Sequence, residues 1–350
     1  MNPASDQSAP ASEGWRFIRN IGLYFLLLLL LCFVVQTLVM SQVRYHFGAA
    51  VWMTVLKRDW VRDGWIKFPE GKTGVVAIGD SRMLAAFSPE SFDSLQNDST
   101  RSYNLALPAS TSETHVAVLK ELIASGATPD WLIVALSPNS PARPDTASYR
   151  SIGVKSPAEV GQVIRSNPEW RKIVLDWLLP LRRFQKEFVA WLNRVVFFRN
   201  QLIGRQTASR NLRDGLDERR GMFVNPEILI VPPGEAPAPN YLNIDGDSDP
   251  ASRELLALAV EHGIQVIMVS APIRSAELLR TPETEDEARK IAAGLSGVVI
   301  LPEYFDPMVL PDDRFSDLVH ANNRGSVEFS SWLSRKFTDL RTERAHDSIP

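Results

Sequence analysis

The sequence predicts an α/β protein: a three-layer α/β/α domain on a parallel five-stranded sheet, with a helical insertion and one N-terminal transmembrane helix. Three observations lead there. Asn20 to Val43 carries no charged residue. Further on, short apolar runs bounded by Gly, Pro, Asp and Ser alternate with amphipathic segments. That alternation breaks between Ser151 and Asp249, which marks the insertion.

Residues 1–16 read as a Ser/Ala/Pro-rich tail, and 17–40 as the membrane anchor. At about 1.5 Å per residue the uncharged run exceeds a hydrocarbon core of roughly 30 Å. It is also longer than the apolar core of a cleaved signal peptide, roughly 7 to 15 residues, so it is expected to persist as a single-pass anchor. Arg16 and Arg19 precede it while Arg44, Lys57 and Arg58 follow, so charge does not orient it. A short tail, one span and a large domain suit a signal anchor with the domain exported. Residues 41–72 show no clean period and read as a connector.

The sheet begins with Gly74 to Ile78, a short buried strand that ends at Gly79-Asp80-Ser81. Tyr103 to Leu107 is the second strand. It leads into Ser110-Thr-Ser-Glu113, a capping-box pattern before a helix with Val116, Leu119 and Ile123 on one face. Trp131 to Leu136 is the third strand, ending at Ser137-Pro138-Asn139. Asp249-Pro250 opens a helix that Gly263 closes, and Ile264 to Val269 is strand four. A helix near Glu283 to Leu295, strand five at Val298 to Leu301 and a closing helix at Gly325 to Leu340 complete the domain, which spans 73–340. Residues 341–350 read as a tail.

With 350 residues and 45% hydrophobic content, the chain has enough apolar material for one large core with an insertion. A net charge of -3 makes nucleic acid an unexpected partner. The single cysteine, Cys32, excludes a disulfide framework, and no metal-ligand spacing is present, so no metal or cofactor is expected. Within the insertion, 151–249, basic residues and aromatics such as Trp177, Phe184 and Trp191 interleave. They read either as a helical cap on the core or as a surface for anionic lipid or a membrane partner.

In an open parallel sheet, ligands bind beyond the carboxyl ends of the strands. Ser81 follows strand one, Ser110 strand two and Asn139 strand three, while Asp317 and His320 follow strand five. A serine nucleophile needs a base, and the base an orienting acid; Asp317-Leu-Val-His320 offers both from one loop. A second Gly-Asp-Ser, at Gly246-Asp247-Ser248, precedes Asp249-Pro250 and reads as a helix-start turn. His46, His115, His262 and His346 lack a partner pattern, and His115 reads as part of a surface-patterned helix.

In this order, Gly79-Asp80-Ser81, Ser137-Pro138-Asn139 and Asp317-Leu-Val-His320 resemble the motifs of the SGNH, or GDSL-type, hydrolase superfamily. The resemblance implies a flavodoxin-like sheet and a triad of Ser81 as nucleophile, His320 as base and Asp317 as orienter. It places the Ser81 N–H and the Asn139 amide in the oxyanion hole, with Ser110 in the segment where the family carries a glycine and this chain has Pro108-Ala109-Ser110. Gly-Asp-Ser-Arg82 and His320-Ala-Asn322-Asn-Arg-Gly325, together with the anchor, look like the SGNH-like proteins of envelope-polymer acylation. These include the alginate and cellulose O-acetylation proteins and the teichoic acid D-alanine transfer protein. Asp80, Arg82 and Asn322 would then support the site or bind substrate.

The implied protein is a serine esterase or O-acyltransferase of an envelope polysaccharide. Its domain would be extracytoplasmic (periplasmic) on the inner, cytoplasmic membrane, with an acylated glycan or polymer as substrate. Membrane lipid would contact the anchor, and a multi-spanning membrane O-acyltransferase would be the partner. Two alternatives stand beside it: a lipase- or thioesterase-like hydrolase with the same triad, and a catalytically weak scaffold subunit of an acylation complex.

Overall fold

A computed structural model describes residues 11–43, 49–108, 110, 112–135, 170–171, 175, 189, 213–224, 250–274 and 294–347. The chain separates into two compact units, Met1–Phe47 with Gly153–Arg199 and Gly48–Ile152 with Asn200–Pro350. In the first unit, α1 (Ala11–Val43) contains the stretch Gly14–Val34, long and apolar enough to cross a membrane. Its leucines and phenylalanines are exposed, as at Phe25 and Leu26. The intact protein is expected to sediment with membranes and to resist alkaline carbonate extraction. A mature chain beginning after Gly48 would contradict this.

The second unit holds a five-stranded, all-parallel sheet of order β2-β1-β3-β4-β5. The strands are β1 (Thr73–Gly79), β2 (Thr100–Asn104), β3 (Trp131–Ala135), β4 (Gln265–Met268) and β5 (Val298–Ile300). Two helix layers cover it. The helices α2 (Ala49–Arg62), α5 (Ser112–Ala124) and α6 (Pro250–Glu261) pack together on one face. On the other, α3 (Ser81–Ala86) and α4 (Pro89–Ser94) pack against α7 (Asn323–Asp347). The chain leaves β1 through one layer to reach β2 and returns through the other to reach β3, as right-handed crossovers require. β1 is thereby an interior strand between β2 and β3, and its carboxyl end lies beside the point where strand order reverses.

Several boundaries differ from the sequence reading. The second strand begins at Thr100, earlier than its apolar half, because Thr100 and Ser102 are buried polar residues whose groups are satisfied. Asp93 accepts from the Thr100 hydroxyl at 2.6 Å and from the Ser102 N–H at 3.0 Å. The main chain still follows β1 past Asn104, since the N–H groups of Leu105 and Leu107 donate to Ala77 O and Gly79 O at 2.8 and 2.9 Å. The connector contains α2, whose buried stripe Met53-Leu56-Lys57-Trp60 is helical in period but has a lysine inside it. The closing helix runs from Asn323 to Asp347, through most of the segment read as a tail.

The core is continuous from sheet to helices. Phe87, Phe92, Phe337 and Trp131 form a chain of ring contacts at centroid distances of 5.4, 5.3 and 5.1 Å, which seats α7 on the sheet. The helix expected near 283–295, the motif Ser137-Pro138-Asn139, the second Gly-Asp-Ser and nearly all of the insertion lie outside the described residues. Within that insertion, residues 213–218 are helical and are followed by a turn against β2.

Candidate active site

The turn at the end of β1 is tight. A Cβ on Gly79 would meet Met83 Cβ at 2.7 Å and the Ala135 carbonyl oxygen at 2.8 Å, so only glycine lets α3 start so close to β3. Asp80 is the N-cap of α3 and accepts from the Arg82 N–H at 2.9 Å. Ser81, the first helical residue, then stands at the carboxyl end of β1. The Arg82 guanidinium folds back onto the same carboxylate, with Nη2 and Nε at 2.8 and 3.0 Å from Oδ2. Burial alone would raise the Asp80 carboxyl. The Arg82 charge, its two kinds of hydrogen bond and nearby His115 outweigh that and keep the acid below its ordinary range.

Ser81 Oγ lies 2.9 Å from His320 Nε2, although 239 positions separate them in the chain. On the far side of the ring, His320 Nδ1 lies 2.8 and 3.0 Å from the two oxygens of Asp317. A carboxylate can only accept, so Nδ1 carries the proton and Nε2 presents its lone pair to the serine hydroxyl. Asp317 also accepts from the N–H groups of Val319 and His320 at 2.9 and 2.8 Å. Its burial raises the carboxyl, but the Val319 amide, the His320 ring and amide, and the His320 charge together bring it below the usual carboxylate range. Ser81, His320 and Asp317 thus form one continuous chain of hydrogen bonds.

The loop carrying Asp317 and His320 is tied at its base. Asn322, 1% exposed, donates from Nδ2 to the Asp313 carbonyl at 2.8 Å and to the Phe315 carbonyl at 3.4 Å. Its Oδ1 accepts from the Gly325 N–H at 3.1 Å, at the start of α7. With both ends of its amide engaged by main chain, Asn322 positions the loop and does not reach substrate. Gly325 fits because the Arg314 carbonyl occupies the space a Cβ would need.

No protein-family model matches this chain, and no curated protein matches it.

Ser110 is drawn into the same region. Its hydroxyl is 2.9 Å from both Gly79 O and Leu107 O, and its oxygen 3.2 Å from His115 Nε2. Carbonyl oxygens cannot donate, so the single hydroxyl proton is committed to them and His115 Nε2–H points at Ser110 Oγ. The Ser110 hydroxyl is therefore a brace between the ends of β1 and β2. Any oxyanion role for this residue falls to its backbone N–H. Its place in a capping box is also lost, since α5 begins at Ser112. Asn139 lies outside the described residues.

Two contributors were not expected. His115, read as surface, is 2% exposed and stands behind Ser110. Asn104, fully buried, donates from Nδ2 to the carbonyls of Met83, Leu84 and Phe87 at 3.2, 3.2 and 2.8 Å, and so holds the end of the helix that Ser81 begins. A polar residue inside an apolar run, between Tyr103 and Leu105, was the available signal, because a buried amide requires partners.

Proposed function

We propose that the protein is a membrane-tethered SGNH-type serine esterase or O-acyltransferase acting on acyl groups, acetyl above all, of a cell-envelope polysaccharide. The observation that carries this reading is the Ser81–His320–Asp317 chain of hydrogen bonds, at 2.9 and 2.8 Å, beyond the carboxyl end of the parallel strand β1. The motif order and the anchor-like α1 support the choice of substrate class and of an extracytoplasmic domain at the inner membrane. A multi-spanning O-acyltransferase is the partner that this reading implies.

In the proposed reaction Ser81 Oγ attacks the acyl carbonyl carbon while its proton passes to His320 Nε2. Asp317 keeps the ring in the tautomer that can accept it and stabilises the imidazolium. The carbonyl oxygen becomes an oxyanion, to which the Ser81 N–H and the Asn139 amide are the proposed donors. Collapse expels the alcohol, which takes the proton from His320 and leaves an acyl-serine. Water gives an esterase, and a glycan hydroxyl gives a transferase. A fluorophosphonate should label Ser81 in the intact protein, with loss of fluoride. Absence of label, or label on Ser248, would overturn the reading.

The lowered Asp80 and Asp317 carboxyls predict a pH signature. Acids whose folded-state values lie below the unfolded value, about 3.9 for Asp, lend stability above that value and lose it as pH falls through the folded one. Both stay ionised over the range where an imidazole gains its proton. The acid limb of kcat/KM is therefore expected to carry no carboxylate step from Asp80 or Asp317. A limb that is steeper than first order above about pH 4 would contradict it.

A further inference from the structure

Lys57 lies on α2, at a position where the helix period calls for an apolar side chain. It is 2% exposed, one of the large fully buried side chains among the described residues. Its Nζ donates to the Asn104 carbonyl at 2.8 Å and to the Ala106 carbonyl at 2.7 Å. Among the described residues no carboxylate pairs with it, and burial moves the amine well below its ordinary range. Burying an amine without an acid is costly, and a methionine or leucine would fill the same space at no such cost. What the amine offers in return is a tie to two particular carbonyls.

Those carbonyls flank Leu105, in the stretch where the main chain leaves β2 for the site. The same stretch carries the Asn104 side chain that holds the carbonyl end of α3, the helix begun by Ser81. It also leads into Leu107 O, to which the Ser110 hydroxyl is bound. Resting on the acyl-transfer reading above, we propose that Lys57 is a positioning residue of that site. From the helix that follows the anchor segment, it fixes the β2 exit and, through Asn104, the aim of the nucleophile helix. The region read from sequence as a connector is in these terms a working part of the active site.

The test compares wild type, Lys57→Met and Met53→Ala, all as full chains in detergent. The readouts are the rate of Ser81 phosphonylation by a fluorophosphonate and amide hydrogen exchange. Met53→Ala loosens the same helix without touching either carbonyl. Lys57→Met is expected to slow phosphonylation by roughly 10- to 100-fold, as a misplaced nucleophile does. Exchange should rise at Leu105, Ala106 and Leu107 and across 82–87, while Met53→Ala leaves the labelling rate essentially unchanged.

Equal slowing in both variants, or unchanged exchange at 105–107 in Lys57→Met, would overturn the proposal. If Lys57→Met does not fold, Lys57→Gln is read in the same way. Its shorter stem presents an N–H2 group that reaches one carbonyl at most, so an intermediate rate is expected and a wild-type rate would refute it. A wild type that is never labelled defeats the acyl-transfer reading instead. In that case the exchange pattern alone decides whether Lys57 fixes the β2 exit.

Discussion

Replacing Ser81 or His320 by alanine in the full chain is expected to lower turnover of a small acetyl ester by on the order of 10⁴- to 10⁶-fold. The double variant should be no worse than either single one. The reason is the proton that the proposed mechanism shares: if Ser81 attacks as His320 Nε2, 2.9 Å away, removes its hydrogen, neither residue retains partial function without the other. Ser248→Ala, in the second Gly-Asp-Ser, should leave turnover unchanged. Additive losses in the double variant, or a Ser81→Ala protein with full activity, would show that the two residues do not act as one unit. Folding is not at stake, because Ser81 and His320 are only partly buried and neither supports the core.

The second large effect is expected at Gly325, which touches no reacting atom. The start of α7 passes so close to Arg314 that the added Cβ of Gly325→Ala would overlap its carbonyl oxygen. That carbonyl is also the acceptor for the Asn322 N–H at 2.9 Å. Backbone has to move on one side or the other, at a cost on the order of 1–3 kcal/mol of stability. The Arg314 carbonyl belongs to the segment that leads into the loop of Asp317 and His320, so a shift there is passed to that loop. The variant should therefore remain folded at low temperature yet lose most of its turnover, since a displacement of about 1 Å at a catalytic base costs roughly 10²-fold. Thermal unfolding and ester turnover measured side by side test this. A variant with wild-type kinetics would mean that the loop does not depend on its seat against α7.

Much of the fold was legible because buried parallel strands are apolar on both faces and stand out between turn residues. Val75 to Ile78, Leu132 to Val134 and Val266 to Met268 are all fully buried. What escaped was built on buried polar groups. Thr100 and Ser102 look like loop residues until Asp93 is seen to satisfy them, and Lys57 and Arg58 hide the apolar face of α2. Arg58 is buried against Glu121. Ser81, His320 and Asp317 could be set side by side from the sequence because they stand at a strand end and in one short loop. The braces behind them could not. Asn104, Ser110 and His115 each find partners that only the folded chain supplies, and no local pattern distinguishes a hydroxyl that caps a helix from one that binds two strand-end carbonyls.

The outer edge of β2 has a consequence of its own. An edge strand ordinarily offers free N–H groups to any passing chain. Here the Ser102 N–H is taken by Asp93 and the Asn104 N–H by the Arg220 carbonyl, while the Arg220 guanidinium is itself ion-paired to Asp93. A second copy or an extended peptide attempting to add a strand would find the Ser102 and Asn104 donors already engaged. The turn at residues 219–221 thus covers part of this edge, and excision of 151–249 as a block would uncover it.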